Sequence, residues 1–152
     1  MGKSDKKMTI KSILNRLPTH PYVLFYMDDP IELVKRRLEE IEFLRNIYVL
    51  DSQDRLAGYL SLGRIIRYFT SMRRKTGLHY HTLLEFVSAK IVMDLMEEDI
   101  VFAWEESLAE EILDIMIARG IKEVPVVDKN RQVIGNIGIL DLWRITEDEM
   151  GD

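Results

Sequence analysis

The sequence predicts an α/β fold made of two copies of one small unit, each a three-stranded sheet with flanking helices. Three observations predict it. Residues 45–67 (RNIYVLDSQDRLAGYLSLGRIIR) lie over residues 122–144 (KEVPVVDKNRQVIGNIGILDLWR) without a gap, so that Asp51 meets Asp128, Gly58 meets Gly135 and Arg67 meets Arg144. Within each copy, two short runs rich in Val and Ile flank a polar turn, the pattern of a hairpin. Upstream of each hairpin, an apolar run is followed by a helix-start signal.

The elements follow in order. A short helix opens each copy, at about 8–17 and about 82–96. An apolar strand comes next, VLFYM within 21–27 and IVFAW at 100–104. The following helix starts at Asp29-Pro30-x-Glu32 in the first copy, with Pro30 expected at the first helical position, where a missing N–H costs nothing. In the second copy it starts at Ser107-x-x-Glu110, expected to form a capping box. Leu108, Ile112, Ile115 and Met116 make a helical stripe, and Gly120 stands where a left-handed C-terminal cap belongs. The hairpin turns are DSQDR and DKNRQ. Closing helices are expected over Leu62–Phe69 and Leu140–Ile145, with the first seven residues and those from Glu147 on frayed. The repeats then span 8–72 and 82–146, joined by a linker at 73–81. One copy would bury little core alone, so the two are expected to pack sheet to sheet with pseudo-twofold symmetry, generating two clefts lined by strand ends and helix starts.

Composition narrows the function. A 47% hydrophobic and 31% charged chain of 152 residues reads as soluble and globular. No apolar run approaches a membrane span, and the start has no signal-peptide core, so a cytoplasmic setting without membrane insertion is expected. The absence of cysteine excludes disulfides and thiolate chemistry. A net charge of −5 argues against nucleic-acid binding. One basic cluster, Arg64, Arg67, Arg73, Arg74 and Lys75, reads either as a solvated helix end or as an anion patch.

No nucleophile elbow, phosphate loop, zinc-protease helix or dinucleotide fingerprint is present, so no enzymatic activity is expected. His79 and His81 lack a fixed third ligand and read as surface residues, with no metal site. Asp28-Asp29 and Glu105-Glu106 sit at helix starts and read as dipole partners. Met93, Met96 and Met116 are expected in the core. Asp141 falls in the first turn of the last helix, at the end of a strand. It reads either as a helix-dipole carboxylate or as a ligand hook, since a carboxylate accepts two hydroxyl hydrogen bonds at once and suits a vicinal diol such as ribose.

Val124-Pro125-Val126-Val127-Asp128, Val133-Ile134-Gly135 and Asp141, preceded by Ser107-Leu108-x-Glu110, resemble the CBS domain, named for cystathionine β-synthase. The first copy, Ile47-Tyr48-Val49-Leu50-Asp51 and Leu56-Ala57-Gly58-Tyr59-Leu60-Ser61, is similar to the first repeat of magnesium-transporter-type CBS pairs. The resemblance covers roughly residues 8–146. It implies a Bateman module: two CBS repeats, regulatory, expected to form a homodimer and to act on a separate effector protein. It implies an adenosine nucleotide (AMP, ADP or ATP) as regulatory ligand, with no catalytic cofactor. Asp141 would hold the ribose diol. Backbone around Ile121, Val124 and Pro125 would meet adenine, and basic residues the phosphates.

Two departures accompany the resemblance. Gly138 stands where the family has a hydroxyl residue three positions before the aspartate. The first repeat keeps the hydroxyl, Ser61, but has Arg64 in place of the aspartate. One ribose hook is therefore expected, at Asp141, while Arg64 suits phosphate as a planar fork. Two other functions fit the sequence: a docking module that binds no ligand, and a divalent-cation sensor using Asp28, Asp29, Glu97, Glu98 and Asp99.

Overall fold

The computed structural model describes residues 7–18, 20–42, 46–74, 84 and 86–150. The chain packs as two compact units. One runs from Pro21 to Ile100, and the other gathers the described residues up to His20 with those from Val101 on.

In the unit 21–100, strand β1 (Tyr22–Tyr26) lies parallel to β2 (Asn46–Leu50), which pairs antiparallel with β3 (Leu56–Leu60) in the order β1-β2-β3. Helices α2 (Ile31–Glu39) and α3 (Leu62–Arg74), a helical stretch at 86–88 and a 3-10 turn (Val92–Asp94) pack with it. Phe25, Val34, Val49, Ile65, Phe86 and Val92 form its core. The other unit contains α1 (Ile10–Leu14), β4 (Ala103–Trp104), α4 (Ala109–Arg119), β5 (Glu123–Val127), β6 (Val133–Gly138) and α5 (Ile139–Met150). Its sheet has the same order, with β4 parallel to β5 and β5 antiparallel to β6. Ile10, Ile13, Met116, Val124, Ile137 and Leu142 fill its core.

The two hairpins share their irregularities as well as their strands. Asp51 Oδ1 accepts from the backbone N–H groups of Gln53 and Arg55, and Asp128 Oδ1 from those of Asn130 and Gln132. Each aspartate folds the turn onto itself and replaces ladder bonds with side-chain bonds. Asp54 and Arg131, at equivalent positions, are the described non-glycine residues with positive φ, both 63°. A register shift follows at Val49/Leu50 and again at Val126/Val127.

The units cross the repeat boundaries drawn from sequence. Helix α1, placed in the first repeat, packs with the second sheet. Ile10 N–H donates to Ser107 O at 2.8 Å, and Ala109 N–H donates to Met8 O at 2.9 Å. The segment leading the second repeat makes the matching contacts in the other unit: Val92 N–H to Asp29 O at 2.9 Å and Ile31 N–H to Lys90 O at 3.2 Å.

Several local expectations are corrected. The Ser107–Glu110 capping box does not form. Ser107 Oγ accepts from Trp104 N–H at 3.0 Å and Leu108 becomes the N-cap of α4. Asp29 Oδ2 does the same for Tyr26 N–H at 2.8 Å, and Pro30 is the N-cap of α2 rather than its first residue. Both polar side chains close the tight strand-to-helix turn, which takes the acceptor away from the helix. The helix expected through residue 96 gives way to an extended Ile91 and a 3-10 turn, because Asp94 Oδ2 captures the N–H groups of Lys90 and Ile91. Met93 is therefore exposed, while Met116 is fully buried. The closing helices run longer than expected. α3 continues to Arg74, into the segment read as linker, and α5 to Met150. Buried Thr146 bonds back to Leu142 O at 3.0 Å inside α5. Gly120 caps α4 at φ 66°, with Ile121 N–H donating to Met116 O as in a Schellman motif. His79, His81 and Lys75 lie outside the described residues.

Candidate functional site

Strand β6 ends at Gly138 and α5 begins at once with Ile139, so Asp141 stands in the first turn of α5, beside the strand end. Negative charge is favoured there by the helix dipole. Its carboxylate is 17% exposed and engages His20, whose Nε2 lies 2.5 Å from Asp141 Oδ2. Gly138 borders the pair: a Cβ on it would sit 3.4 Å from His20 Nε2 and 3.6 Å from Asp141 Oδ2. Across the hairpin, Glu123 pairs with Gly138, and Glu123 Oε1 accepts from buried Asn136 Nδ2 at 2.8 Å. Gly138, Asp141, His20, Glu123 and Asn136 thus make one polar end to an otherwise apolar sheet.

β4 pairs with β5 at Val126 and Val127, and farther along β5 Val124 and Pro125 are buried. In the other unit β1 pairs along the whole of β2, including the equivalent residues Asn46, Ile47 and Tyr48. The Val124 side chain is fully buried, so any contact there runs through backbone. Ile121 is half-buried, and its N–H is engaged by the cap of α4.

The equivalent positions in the unit 21–100 are differently engaged. Ser61 Oγ accepts from Arg64 N–H at 3.3 Å and so caps α3. Arg64 donates from Nε to Leu95 O at 3.2 Å, and its guanidinium lies 5.4 Å from the Phe86 ring centre. Both side chains therefore support the fold of their own unit. Among the described residues, no three His, Asp or Glu side chains gather as a metal site, and no helix is long and apolar enough to cross a membrane.

Sequence reasoning located Asp141 and Gly138 but missed their neighbours. Glu123 and Asn136 were accessible from hairpin register, because Asn136 opposes Pro125 and a residue two along shares its face. His20, 121 positions from Asp141, carried no local signal.

A family model for the CBS domain matches residues 10–71 and 92–142. Among curated proteins, the chain is 25% identical over 147 residues to Protein SDS23 of Scheffersomyces stipitis, covering 95% of this chain and 27% of that protein. The chain thus spans about a quarter of that relative's length. Among solved structures, it is similar to the cytosolic domain of the Mg2+ channel MgtE in complex with ATP, at 24% identity and TM-score 0.59, covering 82% of this chain and 44% of that one. It is similar also to CBSX2 in complex with AMP, at 17% identity and TM-score 0.62, covering 92% and 96%. These likenesses support the fold, and the two matched segments take in both hairpins, most of α3 and the first turn of α5. The chain belongs to the CBS-domain family.

Proposed function

We propose that the chain is a regulatory ligand-binding module that senses an adenosine nucleotide at Asp141. The observation that carries this reading is the placement of Asp141: a partly exposed carboxylate in the first turn of α5, beside the end of β6. A carboxylate accepts both hydroxyls of a ribose, and the family resemblance puts adenine against the neighbouring backbone around Ile121, Val124 and Pro125. The ATP and AMP complexes of similar CBS structures support this choice of ligand class. Ser61 and Arg64 serve α3 and the Leu95 carbonyl, which favours a single nucleotide site on the second repeat.

Such a module acts without catalysis, through differential affinity for two arrangements of its repeats or protomers. We take it to work as a homodimer in the cytoplasm, regulating an effector protein. Calorimetric titration with AMP, ADP, ATP and S-adenosylmethionine tests the reading. Saturable heat with at least one of them is expected, and the absence of heat at millimolar ligand contradicts it.

A further inference from the structure

The carboxylate assigned to the ribose already holds an internal partner. His20 Nε2 sits 2.5 Å from Asp141 Oδ2, with side chains only 21% and 17% exposed. An imidazole N–H on a carboxylate oxygen makes the same kind of bond that a ribose hydroxyl would make. The two cannot share that oxygen within so enclosed a space. Gly138 supplies a second, independent observation. A Cβ there would lie in contact with the imidazole at 3.4 Å and with Glu123 Cγ at 3.8 Å, so a serine hydroxyl turned toward Asp141 would meet the ring. The missing hydroxyl and the inserted histidine explain one another. In the other unit, Ser61 retains its hydroxyl, and the position equivalent to Asp141 is Arg64.

We propose that His20 is an internal occupant of the Asp141 site, which a ligand hydroxyl must displace in order to bind. This rests on the nucleotide reading above and adds its control. The closed form lowers apparent affinity by the fraction of molecules in which His20 has left. His20 is also the last residue of its unit, and Pro21 is the first of the other. Displacing the imidazole therefore couples occupancy of the site to the segment that enters β1.

Titration of the full chain with AMP and with ATP, wild type against His20→Ala and Gly138→Ser, tests the proposal. Each variant removes or expels the ring, and each is expected to bind roughly tenfold tighter, the scale of one charge-assisted hydrogen bond. Equal affinity in wild type and His20→Ala overturns the internal occupant and leaves the nucleotide reading standing. No binding by wild type or either variant at millimolar nucleotide overturns both. Should His20→Ala fail to fold, the imidazole nitrogen resonances of wild-type His20 provide the readout. They are expected to move at saturating nucleotide, and unchanged resonances overturn the displacement.

Discussion

Asp141 is the residue on which the functional reading turns, and its environment ranks the two roles open to it. A carboxylate serving only the dipole of α5 would need no enclosure, yet Asp141 is mostly buried against His20 and Gly138. Asp141→Ala is expected to weaken nucleotide binding by about 1–3 kcal/mol, the cost of a lost bond to a charged group, measured by calorimetry. Other single residues matter for folding alone. A methyl on Gly58 would run into the Glu97 carbonyl, because Tyr59 and Glu97 exchange backbone bonds beside it. Gly58→Ala should therefore destabilise the protein by about 1–3 kcal/mol in urea unfolding. Gly58 was legible as a repeat position, but its reason was not, since Glu97 lies far along the chain.

Two carboxylates give a pH prediction. The backbone N–H groups of Arg55 and Gln53 hold Asp51 below its usual range, and those of Lys90 and Ile91 do so for Asp94. A depressed folded pKa contributes stability that is complete above the unfolded value, about pH 4, and is lost as pH falls through the folded one. Stability is therefore expected to drop on acidification below about pH 4, and Asp51→Asn to flatten that drop in pH-dependent denaturation.

At the scale of elements, periodicity and turn chemistry made most of the fold legible. The hairpins, the Gly120 cap and the buried Ile112 and Met116 of α4 follow from local sequence, whereas Ile115 of the expected stripe is exposed and Leu108 is the N-cap. The capping box failed because a tertiary turn competed for the same hydroxyl: Ser107 closes onto Trp104 instead. The sheet against which α1 packs was not legible for a related reason. A leading helix is equally amphipathic against either sheet, and only long-range packing chooses. The exchange has a consequence. Ile13 is fully buried among residues of the second repeat, so Ile13→Ala should cost about 2–5 kcal/mol and loosen the sheet that leads into the Asp141 turn. Hydrogen exchange at β5 and β6 reports that loosening. Unchanged protection there would contradict the exchanged packing.

For the whole molecule, two related units provide two equivalent positions, and the sequence has treated them unequally. One carries Ser61 and Arg64 built into its own fold, and the other carries Gly138, Asp141 and the paired His20. This asymmetry was half legible: the repeat alignment exposed the unequal residues, whereas the intrusion of His20 depends on chain geometry. Leu140 and Trp143 project from α5, 52% and 48% exposed, and Ile66 projects from α3 at 56%. Exposed apolar side chains on the closing helix of each unit suit self-association. Sedimentation is expected to give a dimer that Trp143→Glu shifts toward monomer.

The most direct measurement is a crystal structure of the protein grown with saturating AMP or ATP. The account predicts ribose hydroxyls on the Asp141 carboxylate, adenine against the backbone at Glu123–Pro125, and the His20 imidazole moved from its place. Nucleotide bound elsewhere, with the His20–Asp141 pair intact, would contradict it.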